Sequence, residues 1–397
     1  MRRVLFLATS LLVLILAPAA GIRASASSLE QPAASLVADV DFVSGATGWV
    51  ALYSPRTSHV GNACDYDLSR TPVTIVRTID GGRHWTAQLH FTGDSTVFGN
   101  ARLWGMWMRF VNATHGFVSG PATQKQAWLY QTRDGGKIWR KLRLPGIPGG
   151  FIGDPFTFPS AGEGWLLANV AATMDRSWAS VFHTVDAGTH WVKAARFGKG
   201  TEGATGDLNA LVFRDAHVGW VTGGSNASPG FVYATSDGGR HWSFQSLGFP
   251  KGVHEASGTP YPPAIFNAST GFLPVEAGEF LYLYTLGPDG THWVSPRRLP
   301  ARAVDDRTLY WQLLSPQRWW VGAGNTLRRT VNVGRTWQTY SLHLPPGFVI
   351  TQLDFVGPNR GWAIATAGFT PGYPTCASIL LRTTDAGAHW ASVAVGE

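Results

Sequence analysis

The chain has 397 residues and a formal net charge of +7, and 14 % of its residues are charged, against roughly 25 % in an ordinary soluble domain. It also carries 47 glycines and 18 tryptophans. Many tight glycine turns and many flat aromatic side chains favour short strands and disfavour a helical protein.

The first predicted element is a secretory signal peptide at residues 1–26, followed by a linker at residues 27–35. Arg2 and Arg3 precede an apolar run from Val4 to Leu16. This run is shorter than the ~20 residues that span a bilayer. We therefore expect cleavage and a secreted or extracytoplasmic mature chain without a membrane span.

Cleavage would remove three arginines and lower the formal net charge from +7 to +4. The mature sequence has no long block of basic residues of the kind that follows a phosphate backbone. We therefore expect no nucleic-acid partner. The sequence also indicates no cofactor, and we expect a monomer.

One turn motif then occurs seven times, beginning with TIDGGRHW at residues 78–85. Each copy ends on a tryptophan, and successive tryptophans are 44 to 54 residues apart. These residues are Trp85, Trp139, Trp191, Trp242, Trp293, Trp337 and Trp390. A nearly constant period of this length is typical of repeat architectures.

A second motif precedes each turn motif: an aromatic residue that follows a glycine in six units, as in DFVSGATGWVAL from residue 41, and an arginine in the sixth, LLSPQRWWVGAG from residue 313. The two motifs together describe four short strands in each unit. Seven such units predict an all-β fold, a single seven-bladed β-propeller of four-stranded antiparallel blades over residues 36–397.

We interpret the turn motif as structural. Its acidic or amide side chain is expected to accept hydrogen bonds from the following Gly-Gly turn, whose second glycine tolerates positive φ, while the tryptophan tucks under the turn. The acidic or amide residues are Asp80, Asp134, Asp186, Asp237, Asn332 and Asp385. A histidine precedes the tryptophan in five copies, but radiating blades hold these positions too far apart to share a metal ion.

Candidate ligand-binding residues lie on the innermost strands. We align the inner strands on their last large apolar residue, which is Phe266 in blade five and Leu314 in blade six. The residues one and three positions before this end lie on the same side of the strand, because side chains alternate. We infer that this side faces the central channel. The candidates are Asp39, Asp41, Trp107, Arg109, Trp311, Gln352 and Asp354.

The charged candidates come from blades seven, one and two, which are neighbours in a closed ring. Three interpretations are open. The arc holds a polar ligand, or Arg109 neutralises carboxylates around a wet channel. The third is that two of Asp39, Asp41 and Asp354 are a glycosidase pair, which requires the carboxyl groups to be about 5 to 9.5 Å apart.

The two cysteines fall in equivalent loops, between the second and third strands of the first and last blades. Cys64 and Cys376 would then project on the same face of two blades that must meet. We predict a Cys64–Cys376 disulfide that closes the ring, since extracytoplasmic cysteine pairs are usually bonded.

The turn motif resembles the Asp-box, or bacterial neuraminidase repeat, Ser/Thr-x-Asp-x-Gly-x-x-Trp. Together with the GWV and GFV strands, it makes the mature chain similar to the propellers of the photosystem II assembly and stability factor family. This resemblance implies an exported, non-enzymatic, seven-bladed protein that binds a partner protein.

Sialidases resemble the chain less well. They are six-bladed and need an Arg-Ile-Pro segment, an arginine triad and a Tyr/Glu nucleophile pair, and no Arg-Ile-Pro occurs here. We therefore expect a binding or assembly module for an unknown protein or glycan. Its site is expected on the loop-rich face, defined as the face that carries the strand-two to strand-three loops and the blade-joining loops. The alternative is a sialidase-like or xyloglucanase-like glycoside hydrolase that uses the carboxylates expected in the channel.

Overall fold

The computed structural model describes residues 35–53, 72–92, 107–119, 128–144, 151–173, 176–198, 207–225, 228–249, 257–302, 309–367 and 377–396. These residues form seven antiparallel sheets and no helix. Nothing within these ranges provides a helix long and apolar enough to cross a membrane. The predicted seven-bladed all-β propeller is confirmed.

Each sheet is one blade, and its strands follow one another in chain order from the centre of the ring to the rim. Blade 1 contains β1 (Leu36–Phe42), β2 (Gly48–Tyr53), β3 (Pro72–Thr78) and β4 (Thr86–Thr92). Blade 2 contains β5 (Met108–Phe110), β6 (Gly116–Ser119), β7 (Trp128–Thr132) and β8 (Trp139–Arg143). Blade 3 contains β9 (Phe151–Thr157), β10 (Gly164–Thr173), β11 (Arg176–Thr184) and β12 (Val192–Phe197). Blade 4 contains β13 (Asp207–Phe213), β14 (Gly219–Ser225), β15 (Ser228–Thr235) and β16 (Ser243–Ser246).

The remaining three blades follow the same order. Blade 5 contains β17 (Thr259–Pro260), β18 (Ala264–Ile265), β19 (Gly271–Ala277), β20 (Phe280–Leu286) and β21 (Trp293–Arg302). Blade 6 contains β22 (Tyr310–Leu313), β23 (Trp319–Ala323), β24 (Thr326–Thr330) and β25 (Gln338–Ser341). Blade 7 contains β26 (Val349–Phe355), β27 (Gly361–Ala367), β28 (Ala377–Thr383) and β29 (Ala391–Val393).

The inner strand of blade 5 is divided because β17 and β18 both pair with β19 and are separated by three residues, Tyr261, Pro262 and Pro263. Proline has no N–H to donate to a strand ladder. The two prolines therefore interrupt the pairing and leave Tyr261 between two short strands.

Blades 1 and 7 are each built from consecutive strands, so none of the described strands is exchanged where the two ends of the ring meet. The ring closes through side chains instead. Arg382 Nη1 donates to the Gly81 carbonyl at 3.1 Å, and Trp85 Nε1 donates to the Ala394 carbonyl at 3.1 Å. Cys64 and Cys376 lie outside the described residues, as do residues 1–26 and the predicted cleavage site, so these expectations remain predictions.

An aromatic arrangement at the end of the inner strand joins neighbouring blades. In blade 1, one face of the Phe42 ring lies over Gly48, which is its partner across the β1–β2 hairpin. The other face stacks on Trp362 of blade 7, with ring centroids 3.4 Å apart and an interplanar angle of 7°. The edge is met by Trp85 of the turn motif at 79°.

The same stacking occurs at four further blade boundaries. The stacked pairs are Trp49–Phe110 at 3.4 Å, Phe117–Phe158 at 5.0 Å, Trp165–Phe213 at 3.9 Å and Trp320–Phe355 at 4.0 Å. At the two boundaries of blade 5, the aliphatic residues Ile265 and Leu313 take the place of the phenylalanine. Three recurring sequence features, the inner phenylalanine, the Gly-Trp pair and the motif tryptophan, thus meet at one point in most blades.

The turn motif is held by one set of hydrogen bonds in six blades. In blade 1, the Thr78 hydroxyl donates to Asp80 Oδ1 at 2.9 Å and accepts the Gly82 N–H at 2.9 Å, and the His84 N–H donates to Asp80 Oδ1 at 3.0 Å. The equivalent bonds appear at Asp134, Asp186, Asp237, Asn332 and Asp385. In blade 5 the turn is built differently, around Asp289.

One detail of the predicted turn is wrong. The carboxylate was expected to accept the N–H groups of the Gly-Gly pair. Instead, the threonine hydroxyl accepts the second of them, and the carboxylate accepts N–H groups further along the turn. The reason is that the Thr78 hydroxyl lies between the two groups, since it accepts from the Gly82 N–H and donates to Asp80 Oδ1. The expected positive φ at the second glycine is confirmed, for example 93° at Gly82.

The first residue of the turn pair also has positive φ, and it is not always glycine. Ala187, Val333 and Ala386 take φ of 55°, 63° and 65°. This conformation turns the carbonyl of that residue toward the preceding blade. There it accepts a side-chain donor: Trp320 Nε1 donates to the Ala386 carbonyl at 2.9 Å, and Arg297 Nη2 donates to the Val333 carbonyl at 2.7 Å. The turn therefore fastens one blade to the next as well as closing its own hairpin.

We predict that Gly48→Ala destabilises the protein by about 2 kcal/mol, because the added methyl group would lie inside van der Waals contact with the Phe42 ring and push it off Trp362. Chemical denaturation monitored by tryptophan fluorescence measures the change. Gly248→Ala is the control, since a methyl group there meets no atom within 4 Å. Equal stability of the two variants would contradict the proposed role of the glycine.

Candidate functional site

Among the side chains that the structure describes, those of four inner strands include a polar group that bonds to the backbone of the next inner strand. We call these four side chains the latch residues. The inner strand is the edge of its sheet, so alternate N–H groups of its backbone point away from the blade and need a partner. The latch residues are Asp354, Asp41, Thr157 and Gln312.

The contacts of the latch residues are alike although their side chains differ. Asp354 Oδ2 accepts the Phe42 N–H at 2.6 Å, and Asp41 Oδ2 accepts the Phe110 N–H. Thr157 Oγ1 accepts the Phe213 N–H at 3.2 Å. A carboxylate, a hydroxyl or an amide oxygen thus serves the same purpose.

Asp39 and Gln352 add a second level of bonds where blades 7, 1 and 2 meet. Asp39 Oδ2 accepts the Met108 N–H at 2.8 Å, and Asp39 Oδ1 accepts the Val40 N–H at 2.8 Å. Gln352 Nε2 donates to Asp39 Oδ1 at 2.8 Å and to the Val40 carbonyl at 2.9 Å. The predicted grouping of Asp39, Gln352 and the two latch aspartates in neighbouring blades is therefore observed.

The expectation that these side chains line an open channel is wrong for Asp39 and Asp41. Both are buried, with relative exposures of 5 % and 6 %. Asp41 shares its side of the sheet with Trp49, its partner across β1 and β2, and Trp49 packs against blade 2. Successive side chains of an inner strand thus point toward one or the other of the two neighbouring blades. They do not alternate between the channel and the core.

Arg109 is the candidate that stays exposed. Its side chain has 61 % relative exposure, and Arg109 Nη1 lies 3.8 Å from Asp41 Oδ1. The guanidinium lowers the pKa of both Asp41 and Asp354, but this effect is smaller than that of burial. The contact with Asp41 agrees with one part of the second interpretation, in which Arg109 neutralises carboxylates around a wet channel, and the wet channel stays a prediction.

Burial dominates the electrostatics of the latch carboxylates. Desolvation raises the pKa of Asp41 above its ordinary value. The pKa of Asp354 is raised further, first by desolvation and then by repulsion from Asp41 and Asp39. The hydrogen bond from the Phe42 N–H opposes this change only in part.

The predicted alignment of blades 5 and 6 is off by one residue. Ile265 pairs with Gly271, and Leu313 pairs with Trp319, as Phe42 pairs with Gly48. Phe266 and Leu314 are each one residue later, in the turn. The correct alignment puts Gln312 in the place of Asp41, and this residue was missed as a latch.

The two candidate tryptophans do not join the carboxylates in a common set of contacts. Trp311 packs edge to face on Tyr261, with ring centroids 5.6 Å apart, at the boundary of blades 5 and 6. The backbone N–H of Trp107 donates to Ser119 Oγ at 2.7 Å within blade 2. The predicted ligand-binding roles of Trp107 and Trp311 remain predictions.

Sequence reasoning also missed a titratable pair in blade 5. The Tyr261 hydroxyl donates to Glu276 Oε2. Desolvation, followed by the nearby Glu276 carboxylate, raises the pKa of Tyr261 well above its ordinary value. This tyrosine therefore keeps its proton at neutral pH and is unlike an activated nucleophile. The signal in the sequence was the Tyr-Pro-Pro segment at residues 261–263, which interrupts a strand.

We predict that Asp354→Asn makes the protein more stable at neutral pH, by an amount of the order of 1 kcal/mol in unfolding free energy. The amide oxygen can still accept the Phe42 N–H, as Gln312 does for Phe355, while the buried charge is removed. Folding raises the pKa of Asp354, so the wild type loses stability as the pH rises through that pKa. The advantage of the variant should accordingly shrink toward acid pH.

Asp385→Asn is the matched control with the opposite sign. Hydrogen bonds from the His389 N–H and its imidazole lower the pKa of Asp385, so its ionised form stabilises the fold above the ordinary carboxyl pKa. This variant should be less stable at neutral pH. Denaturant unfolding at several pH values measures both, and a loss of stability in Asp354→Asn would contradict the electrostatic argument.

The comparisons with known proteins agree with this fold. No protein-family model matches the chain. The chain is similar to the photosystem II assembly protein Ycf48 of Synechococcus sp. (strain JA-2-3B'a(2-13)), with 25 % identity over 303 residues, which cover 64 % of this chain and 80 % of that protein.

Solved structures extend the likeness in fold. Ycf48 from Cyanidioschyzon merolae superposes with a TM-score of 0.54 and 16 % identity, covering 89 % of this chain and 96 % of that one. An ulvan lyase bound to a sugar fragment superposes with a TM-score of 0.55 and 9 % identity, covering 91 % and 96 %. The chain therefore shares its fold with both a photosystem II assembly protein and a polysaccharide lyase, and it is similar in sequence to the first group.

Proposed function

We propose that the mature chain acts outside the cytoplasm as a non-enzymatic binding or assembly module, which holds a partner protein on its loop-rich face. The observation that carries the proposal is the engagement of the inner-strand carboxylates. Asp39, Asp41 and Asp354 each accept a backbone N–H of an inner strand. Their oxygens hold blades together, which supports a binding surface away from these carboxylates.

The similarity to the Synechococcus protein supports the choice of a protein partner, because that relative is an assembly protein. The architecture supports the choice of face. The turn motifs and their bonds to the preceding blade occupy the opposite face, where they serve the ring itself. The loop-rich face carries the connections that vary most between blades, and variable loops on a rigid scaffold are the usual place for recognition.

A site-specific photo-crosslinker tests both the partner and the face. One variant carries it at Asn325, an exposed residue in the β23–β24 turn on the loop-rich face, and a matched variant carries it at Ser236, an exposed residue of the turn motif in blade 4. We expect a defined protein to be crosslinked in extracytoplasmic extract of the producing organism from Asn325 and not from Ser236. Equal labelling from both positions, or none from Asn325, would overturn the proposal.

The second candidate function is glycoside hydrolysis, and one observation favours it. Asp354 has a raised pKa beside a second carboxyl group, Asp41, and a general acid requires such a carboxyl. The shared fold of the ulvan lyase shows that a propeller of this shape can act on polysaccharide.

A panel of chromogenic glycosides and polysaccharides, applied to the mature protein and to Asp354→Asn, separates the two functions. We expect no hydrolysis by either protein. Because the amide keeps the bond to the Phe42 N–H, a loss of activity in the variant would reflect chemistry and not misfolding. Hydrolysis by the wild type that disappears in Asp354→Asn would establish the enzymatic alternative.

A further inference from the structure

The large aliphatic side chains that are exposed among the described residues all lie at one place in the blade. Each is in the turn motif or in the first two residues of the outer strand that follows it, on the face opposite the loop-rich face. These residues are Ile79, Ile138, Val185, Val192, Val294 and Val331. Single exposed aliphatic residues are ordinary on a protein surface, but their restriction to one motif gives this face an apolar character.

The four most exposed of these side chains lie in three consecutive blades. Ile79 of blade 1, Ile138 of blade 2, and Val185 and Val192 of blade 3 have relative exposures of 62 to 72 %. We call these four residues the tip patch.

Blade 4 shows that the turn itself does not need apolar residues at these positions. Its equivalents of Val185, Ile138 and Val192 are Ser236, His241 and Ser243. The blade 4 turn nevertheless keeps its hydrogen bonds, since the Thr235 hydroxyl donates to Asp237 and accepts the Gly239 N–H. The aliphatic residues of the tip patch therefore serve a purpose other than the folding of the turn.

The turns that carry the tip patch adjoin one another. Arg133 Nη2 of blade 2 donates to the Ala187 carbonyl in the blade 3 turn at 3.1 Å. The Arg77 guanidinium of blade 1 lies beside Gly135 in the blade 2 turn. Because the three turns lie at the same end of neighbouring blades, one broad, flat surface can contact all of them at once. A lipid bilayer is such a surface, and it needs no matching cavity.

Cations accompany the tip patch. Five exposed cationic residues lie in the turn motifs of blades 1 to 3 and in the first two residues of the outer strands that follow: Arg83, Arg133, Lys137, Arg140 and Lys193. The same segments hold three carboxylates, and each accepts a backbone N–H of its own turn: Asp80, Asp134 and Asp186. The cations outnumber the carboxylates, which complements the negative charge of anionic lipid headgroups.

We propose that the turn-motif face of blades 1 to 3 rests on a lipid bilayer that contains anionic lipids. The tip patch enters the boundary between headgroups and acyl chains, while the cations contact the lipid phosphates. This orientation directs the loop-rich face away from the bilayer. The inference goes beyond the proposed binding function and does not depend on it.

Co-sedimentation with vesicles tests this inference on residues 27–397, which contain all seven blades and lack the apolar run from Val4 to Leu16. One set of vesicles is an equal mixture of phosphatidylcholine and phosphatidylglycerol, and the other is phosphatidylcholine alone. We expect tighter binding to the anionic vesicles, and we expect added salt to weaken it because salt screens the attraction.

A triple variant gives blades 2 and 3 the residues of blade 4: Ile138→His, Val185→Ser and Val192→Ser. The replaced side chains are exposed, so the variant should keep the stability of the wild type in denaturant unfolding. We expect it to bind the anionic vesicles about tenfold more weakly, because less apolar surface leaves water. The assay is run at about pH 8, where the added histidine is neutral.

Val331→Ser is the matched control, because it removes an exposed aliphatic side chain from the same motif in blade 6, outside the tip patch. We expect its affinity to stay within about twofold of the wild type. Equal weakening in the control and the triple variant, or unchanged binding of the triple variant, would overturn the proposal.

The remaining outcomes concern other occupants of the tip patch. Absence of binding to the anionic vesicles would show that no such bilayer covers it. Self-association of the chain without lipid, abolished in the triple variant, would identify a contact between two copies and overturn lipid docking. Neither outcome bears on the partner sought with the crosslinker at Asn325.

Discussion

The fold depends on the stacking of one aromatic ring between two blades. The inner phenylalanine of a blade lies over the glycine of its own hairpin and faces the tryptophan or phenylalanine of the preceding blade. Such aromatic pairs contribute about 0.5 to 1.5 kcal/mol each beyond the area that they bury. Because five of the seven boundaries use this contact, the spacing between blades is set by the thickness of a ring. The remaining features of the blade, from the glycine to the motif tryptophan, serve to hold that ring.

Among the described residues, hydrogen bonds reinforce this stack at two levels in several of the boundaries. On the inner strands, a latch residue satisfies an edge N–H of the next blade. At the turn motif, a residue with positive φ turns its carbonyl back toward the preceding blade. Val333 shows how strongly the second bond is required, since a β-branched residue adopts φ of 63° there. Backbone strain is accepted because the carbonyl would otherwise point away from its donor.

The repeat made the fold predictable. Seven tryptophans at a nearly constant spacing and a Gly-Trp pair in most units determine the number of blades and strands. The site was predicted only in part. The grouping of Asp39, Asp41, Gln352 and Asp354 followed from the order of blades in a ring, but their orientation did not, because a sequence does not say which neighbour a side chain faces.

Two further misses have separate physical origins. In blades 5 and 6, Ile265 and Leu313 replace the inner phenylalanine, while large apolar residues follow at Phe266 and Leu314. An alignment on bulky residues therefore moves by one position, and a shift of one position in a strand exchanges its two sides. Gln312 was lost in this way. The contact between Tyr261 and Glu276 was not predicted, because only the pairing of β17 with β19 brings the two residues together.

The unexchanged strands of blades 1 and 7 have a consequence for how such proteins diversify. Every blade is encoded by one uninterrupted stretch of the chain, and the junction between the two ends uses the same stack as the other boundaries. Duplication or deletion of the gene segment for one blade therefore leaves every other strand with its pairing partner. A rearranged gene whose first codon falls between two other blades would encode the same set of contacts.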